Sequence, residues 1–290
     1  MKPYVEIFEV GPRDGLQNEA RAIPTREKIA LIDRLSQAGF RRIEVASFVS
    51  PKWVPQMADS GQVLAGIQRG QGISYAALTP NMKGFEAAIA ARADEIAIFA
   101  SASEGFSRAN LNASIEDSLA RFAPVAEAAK AHDLPMRGYV SCVTDCPFDG
   151  VVAPQEVARV VAALRDLGAY EISLGDTIGQ GRPERVDAML QTVLEEMPAP
   201  RLAGHFHDTS GRALENIEVS LARGLRVFDA SVGGLGGCPY APGSQGNVAS
   251  EAVALRLDAL GYETGLDGAV LAQAAEMARA MRGPQEEGGR

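Results

Sequence analysis

The sequence predicts an α/β protein whose parallel sheet closes into a (β/α)8 TIM barrel, with an extra C-terminal helix. Three observations carry that prediction. Short apolar runs alternate with longer segments of helical periodicity along the chain. The strand-then-helix alternation repeats eight times in 290 residues, which suits a closed barrel better than an open doubly wound sheet. No Gly-x-Gly-x-x-Gly follows the first strand, where a dinucleotide fold would carry one.

Each element has a local reason. Tyr4–Val10 alternates Val5 and Ile7 with polar neighbours and breaks at Gly11-Pro12, a strand and its loop. Thr25 caps a helix bearing Ile29, Leu31, Ile32, Leu35 and Ala38, and Gly39 stops it. Arg42–Ala46 is a strand, and a weaker helix runs through Val63, Leu64 and Ile67 after the Ser50–Pro55 loop. Ile73–Leu78 and Gly84–Ala91 form the third unit, and Glu95–Phe99 is the fourth apolar run. Ser114 opens the next helix, with Asp117 placed as a partial capping partner. Met136–Val140 precedes a Pro154–Leu167 helix stopped by Gly168, and Glu171–Leu174 precedes Pro183–Met197. Leu202–Phe206 leads into Ser210–Arg223, and Val227–Val232 into Val248–Leu260. The extra helix spans about Leu266–Met281, so residues 1–290 read as one barrel domain with 264–290 as a helical extension.

Composition narrows the class. A formal net charge of −9 argues against a nucleic-acid or anionic-membrane partner. Three cysteines supply no disulfide framework and suit a reducing, cytoplasmic setting. No segment has the apolar length of a membrane span, and neither a signal region nor a transit stretch is evident.

In a barrel of this kind the chemistry gathers at the C-terminal ends of the strands. Arg13, Asp14, Glu44, Ser47, Thr79, Ser101, Ser141, Asp176, Thr177, His205, His207 and Asp208 all fall there. In Gly204-His205-Phe206-His207 the two imidazoles share one face of a strand, as half of a metal site would require. A hydrogen-bonded pair of core histidines would look the same, and the crowd of ionisable groups on the rim favours the metal.

The run Glu9-Val10-Gly11-Pro12-Arg13-Asp14-Gly15-Leu16-Gln17-Asn18-Glu19 closely resembles the signature of the hydroxymethylglutaryl-CoA lyases. The resemblance continues through Ser47–Met57, Leu78–Asn81, Arg137–Cys142, Tyr170–Gly179 and Gly233–Tyr240, nearly to the last helix. It implies a divalent-metal lyase that cleaves (S)-3-hydroxy-3-methylglutaryl-CoA to acetyl-CoA and acetoacetate, typically in leucine breakdown, as a homodimer or higher homo-oligomer. By the same resemblance Asp14, His205, His207 and Asn247 are the metal ligands. Their mixed nitrogen and oxygen donors suit Mg²⁺ or Mn²⁺. Asn247 also reads as a helix N-cap ahead of Val248.

The remaining roles combine residue chemistry with what the resemblance implies, which places Glu44, Asp176, Cys238 and Glu251 in the active-site shell. Arg13, cationic at any working pH, would stabilise the enolate oxygen of a thioester, a role the motif favours over a plain ion pair with Glu44. Cys238, ending the mobile Gly233-Gly234-Leu235-Gly236-Gly237 loop, would return a proton to that enolate. Asp14 or His205 would serve as base. Glu44, Asp176 and Glu251 are supporting catalytic residues that orient Arg13, a ligand or a metal-bound water. Ser47, Asn110 and Ser173 are candidates for acyl or pantetheine contacts, and Lys52 and Arg108 for the CoA phosphates. Cys142 and Cys146 read as structural thiols and His132 as a surface residue. Phe206 should face the barrel wall. The rivals are a lyase for longer-branched 3-hydroxy-3-alkylglutaryl-CoA, a related metal-dependent condensing enzyme, and a ligand-binding scaffold without turnover.

Overall fold

The computed structural model describes residues 2–238 and 241–282, and for 237, 238 and 241–245 the backbone alone. The barrel strands are β1 Glu6–Glu9, β2 Arg42–Ser47, β3 Ser74–Leu78 and β4 Glu95–Ser101. They continue as β5 Met136–Ser141, β6 Ile172–Asp176, β7 Leu202–Phe206 and β8 Val227–Ala230. All are parallel, each beside the next, and β8 closes on β1 with Glu6 opposite Val227. The helices around them are α1 Thr25–Ser36, α2 Ser60–Gly66, α3 Met82–Ala90, α4 Glu104–Leu111 and α5 Ile115–Ala131. After these come α6 Pro154–Asp166, α7 Pro183–Val193, α8 Ala213–Ala222, α9 Ser250–Ala259 and the additional α10 Gly268–Met281. The expected closed barrel is therefore present. No helix among the described residues is long and apolar enough to cross a membrane.

Local chemistry explains the ends, including those that differ from expectation. Ser114 Oγ accepts from the Asp117 amide at 3.0 Å and donates to its carboxylate at 2.7 Å, so that cap forms as read. Thr25 does not cap α1: Pro24 holds that position, and the Thr25 hydroxyl donates to Asp59 at 2.7 Å. Asn247 does not cap α9, which starts three residues later at Ser250 behind Ala249. Two features were not expected. Helix α4 is capped by Ser103, whose Oγ accepts from the Phe106 amide at 3.1 Å. A small antiparallel ribbon pairs Asp145–Cys146 with Gly150–Val151.

The main apolar core lies between strands and helices, where Ile43, Ile96 and Val140 meet Leu31, Leu164 and Val253. Phe206 belongs to this layer, on the wall as expected. The barrel interior holds little apolar material, chiefly Phe8, Val10 and Ala76, then Leu78, Ala97 and Tyr139. Ion pairs fill the rest. Arg137, fully buried, crosses from β5, donates from Nε to Glu171 at 2.7 Å and lies over the Phe8 ring at 4.3 Å. Arg42 joins Glu171 at 2.9 Å and Glu6 at 2.7 Å. Charges taken out of water must be paired in this way, since an unpaired one costs about 3–5 kcal/mol. These pairs form a rigid polar floor beneath the rim.

Helix α10 buries Leu271, Ala274, Ala275, Ala278 and Met281 against α1 and the Val232–Gly234 turn. Its charged residues meet the Gly-rich loop. Arg279 binds Glu251 at 3.0 Å, Glu251 accepts from the Gly233 amide at 3.0 Å, and Arg282 donates to the Gly234 carbonyl. The extension is thus a buttress of that loop.

Candidate active site

Beyond β1 the backbone widens into one π-helical turn, Gly11–Gly15. The Val10 carbonyl accepts from the amides of Arg13, Asp14 and Gly15 at 3.2, 2.8 and 3.2 Å. The turn stands Arg13 and Asp14 side by side at the barrel mouth. It fits closely under the loop after β8: a Cβ on Gly15 would lie 2.6 Å from Ser231 Oγ and 2.7 Å from Leu235 Cβ. Glu9 ties the two segments together. Its buried carboxylate accepts from the Gly11 amide at 2.8 Å, the Val232 amide at 2.9 Å and Ser250 Oγ at 2.6 Å. Burial raises the Glu9 pKa to about 7, against those three hydrogen bonds.

Arg13 is the centre of the charge arrangement. Its Nε donates to Glu44 at 2.6 Å and its Nη1 to Asp14 at 2.7 Å. Burial pushes the Glu44 carboxyl above its ordinary range, although Arg13 opposes this. For Asp14, burial is outweighed by Arg13 and then the two histidines, which bring it to about 2. Asp14 therefore stays ionised. Asn247 Nδ2 donates to Asp14 Oδ2 at 2.8 Å.

His205 and His207, two residues apart, put their ring centroids 5.4 Å from each other. One ligand atom from each of Asp14, His205 and His207 lies within 4.8 Å of the others. His205 is engaged at Nδ1 by Asp229 at 3.2 Å, which leaves Nε2 3.9 Å from Asp14 Oδ2. His207 Nδ1 is buried without a partner among the described residues. Burial and then His205 lower the His207 pKa to about 4, so this ring is neutral and able to ligate. For His205 burial works downward, but the Asp229 carboxylate outweighs it and raises the pKa, so a cation at Nε2 would displace a proton. A carboxylate and two imidazoles, one with an orphaned nitrogen, fit a divalent cation. For Asn247 the amide nitrogen meets Asp14; turned over, its oxygen would join the same donor set. Glu44 Oε1, Ser47 Oγ and the Tyr139 hydroxyl are also buried without partners among the described residues. They leave polar capacity at this end of the barrel for a bound molecule.

The structure brings Arg13, Asp14, Glu44, His205, His207 and Asn247 together and separates others from them. Asp176 accepts from the Gly181 and Gln180 amides at 2.9 and 3.2 Å and from Thr144 Oγ1 at 3.3 Å. It braces the loop after β6 and does not bond to Arg13 or a ligand, and burial holds its carboxyl at about 6. Glu251 supports the Gly-rich loop and likewise does not touch Arg13. Ser173 Oγ donates to Asp229 at 2.7 Å, in the barrel layer below His205, so its hydroxyl is committed away from the mouth. Asn110 is exposed on α4, and Lys52, Arg108 and His132 are exposed as well. Cys142 is buried at φ +60°, and Cys146 Sγ accepts from Ser103 at 2.8 Å and from the Phe148 and Asp149 amides at 3.3 Å. The backbone of Gly237–Cys238 pairs antiparallel with Ala241–Gln245, while the Cys238 side chain lies outside the described residues.

Sequence reasoning missed Glu9, Tyr139, Arg137 and Asp229. The Tyr139 ring lies between two guanidiniums, 5.6 Å from that of Arg13 and 4.9 Å from that of Arg137. The overlooked signal was one ionisable or hydroxyl-bearing side chain inside an otherwise apolar strand, as in Val227-Phe228-Asp229-Ala230.

Known proteins resemble this chain over nearly its whole length. A Pseudomonas aeruginosa protein named 3-hydroxy-3-isohexenylglutaryl-CoA/hydroxy-methylglutaryl-CoA lyase is 56% identical over 279 residues, 96% of this chain and 93% of its own length. The crystal structure of the HMG-CoA lyase from Brucella melitensis superposes with a TM-score of 0.96 at 60% identity, covering 97% of this chain and all of that one. An Acinetobacter baumannii HMG-CoA lyase, solved with coenzyme A and 3-methylmalate, matches with a TM-score of 0.91 at 38% identity, over 99% and 95% of the two chains. The HMGL-like profile matches residues 4–278. The chain therefore belongs to the HMGL-like family.

Proposed function

We propose that the protein is a divalent-metal-dependent lyase that cleaves (S)-3-hydroxy-3-methylglutaryl-CoA into acetyl-CoA and acetoacetate. The observation that carries this reading is Arg13, lodged between Glu44 and Asp14, beside the Asp14, His205 and His207 cluster. A cation held there, Mg²⁺ or Mn²⁺, supplies Lewis-acid polarisation of the tertiary hydroxyl and lowers its pKa. Asp14, His205 and His207, with Asn247 turned over, are the residues that would hold it.

The chain's own groups account for the remaining chemistry. Asp14 or His205 takes the hydroxyl proton, and the oxygen's freed pair forms the C3=O bond of acetoacetate. The C2–C3 bond breaks so that its electron pair forms the enolate of acetyl-CoA, with the negative charge on the thioester oxygen. Arg13, fixed by two carboxylates, presents its guanidinium to the charge that develops on the thioester oxygen. A preorganised cation of this kind favours the transition state over the ground state. Glu44 holds that guanidinium in place. Ser47 and Tyr139, whose hydroxyls have no partner among the described residues, would contact the acyl group. Cys238 returns a proton to the enolate carbon when the Gly-rich loop closes. Glu251 and Asp176 act by shaping the two loops. The exposed Lys52 and Arg108 remain the candidates for the CoA phosphates, and the exposed Asn110 for a pantetheine contact. The family resemblance extends the reading to a cytoplasmic homo-oligomer in leucine breakdown.

The test is acetoacetate release from HMG-CoA by purified protein, with EDTA and then with Mg²⁺ or Mn²⁺ restored. Release that stops with EDTA and returns with metal is the expected result; no release despite bound metal would overturn the substrate assignment. The name of the P. aeruginosa relative makes a longer-branched thioester a second substrate to assay.

A further inference from the structure

We propose that Asp229, locked by Arg137 and Ser173, is the positioning residue that holds His205 as its Nδ1–H tautomer and turns Nε2 toward the cation site. The inference rests on the metal-dependent reading above and assigns a role to a residue outside the ligand set.

The barrel register carries the first part of the argument. Asp229 on β8 and His205 on β7 are paired directly across the two strands, so the carboxylate lies beside the ring wherever the barrel is closed. Asp229 is buried, and four donors surround it. Arg137 Nη2 donates to Oδ1 at 2.7 Å and Nη1 to Oδ2 at 3.1 Å. Ser173 Oγ donates to Oδ2 at 2.7 Å, and His205 Nδ1 stands 3.2 Å from the same oxygen. An ionised carboxylate only accepts, so the proton of that last contact belongs to Nδ1. Whenever the ring is neutral, as it must be to bind a cation, its single proton is therefore on Nδ1 and Nε2 carries the lone pair.

The second part is direction. Nε2 stands 3.9 Å from Asp14 Oδ2, beyond hydrogen-bond reach but within the separation of two donors that flank one cation at about 2.0–2.2 Å each. His207 has no such brace, since its Nδ1 meets no described partner. The two histidines are therefore built differently: one is preset by a carboxylate, and the other has no such partner among the described residues. Arg137 does not need Asp229 for burial alone, because Glu171 already takes its Nε at 2.7 Å. The guanidinium fork fixes the carboxylate in one plane, and the carboxylate fixes the ring. A consequence follows for proton transfer. With Nδ1 committed and Nε2 on the cation, His205 has no nitrogen left to take the hydroxyl proton, which leaves that step to Asp14.

The first readout needs no variant. Long-range ¹H–¹⁵N spectra of ¹⁵N-histidine-labelled, metal-free protein, followed upward in pH until the rings are neutral, report the tautomer of each of the three histidines, with H132Q and H207Q used for assignment. An Nδ1–H signature for His205 is expected; an Nε2–H signature overturns the proposal. The second readout is Mn²⁺ binding by calorimetry. D229N should weaken it about 10–100-fold with circular dichroism unchanged, and S173A, which removes one donor to Asp229, should weaken it by less. D229N that folds and binds Mn²⁺ within about twofold of the parent overturns the role, since a merely structural ion pair would change the melting temperature alone. If D229N does not fold, the parent tautomer together with S173A decides. A parent that binds no Mn²⁺ instead overturns the metal-dependent reading, and this inference with it.

Discussion

Replacement of Arg13 by Met separates an electrostatic catalyst from a plain ion-pair partner. The guanidinium donates at 2.6 Å to Glu44, which is fully buried, and at 2.7 Å to Asp14. Its removal leaves a buried carboxylate unpaired, which costs about 3–5 kcal/mol. At the slope typical of large domains, melting should fall by roughly 5–15 °C. Loss of a charge aimed at a developing oxyanion should lower kcat about 10²–10³-fold at a temperature where the variant is folded. E44Q in the same background removes the stranded carboxylate and should recover most of the melting temperature. Turnover in R13M/E44Q should stay low. The assay is acetoacetate release at saturating Mn²⁺, alongside calorimetric melting. Two results would refute the reasoning: folded R13M with turnover within about tenfold of the parent, or a double variant that regains activity together with stability.

Other expectations can be measured directly. C238S should lose most turnover yet bind Mn²⁺ like the parent by calorimetry; near-normal turnover removes Cys238 as the proton donor. Glu9 is raised from 4.5 to about 7 in the fold, so the folded state holds its proton where the unfolded chain has lost it. Stability from this group is complete below pH 4.5 and is lost as pH rises to 7, by about 3 kcal/mol in all. Urea unfolding of E9Q, compared with the parent from pH 4 to 8, should lack that component of the decline. Gly236 sits at φ +97°, and a Cβ there would lie 2.9 Å from Asn247 Nδ2 and 3.2 Å from Gly15 Cα. G236A should therefore cost about 1–3 kcal/mol and weaken Mn²⁺ binding through Asn247, and unchanged melting and binding would count against this contact.

The barrel was legible because each strand is short, apolar and followed by a helix-period segment, and register then dictates which side chains meet. His205 and His207 were visible as a pair through strand alternation, and Arg13 with Asp14 through their motif. Ser173 reads as a candidate acyl or pantetheine contact in one dimension. In the barrel it pairs with Ala203, two positions short of the Gly175 and His205 pairing, and its hydroxyl is taken by Asp229. Asp229 and Arg137 were hidden because one charge in a strand has no meaning until a partner from a distant strand is known. Helix α4 was obscured by Gly105 in its first turn, although Ser103 offered a cap. The division of labour between Glu44 and Asp176 could not be read from sequence. Both sit at strand ends, and only their bonds, to a guanidinium or to loop amides, tell them apart.

Closure of β8 on β1 has a consequence for how the chain is made. Glu6 must wait for Val227, roughly 220 residues later, and at about 5–20 residues per second the ribosome takes roughly 10–45 s to deliver it. Throughout that interval the first strand presents an open edge to other nascent chains. The strand is only four residues long and has glutamate at both ends, Glu6 and Glu9. Short, charged edges resist pairing with foreign strands. The carboxylates that finally bind Arg42 and the Gly11 amide thus begin as guards against misassembly, before there is a barrel for them to stabilise.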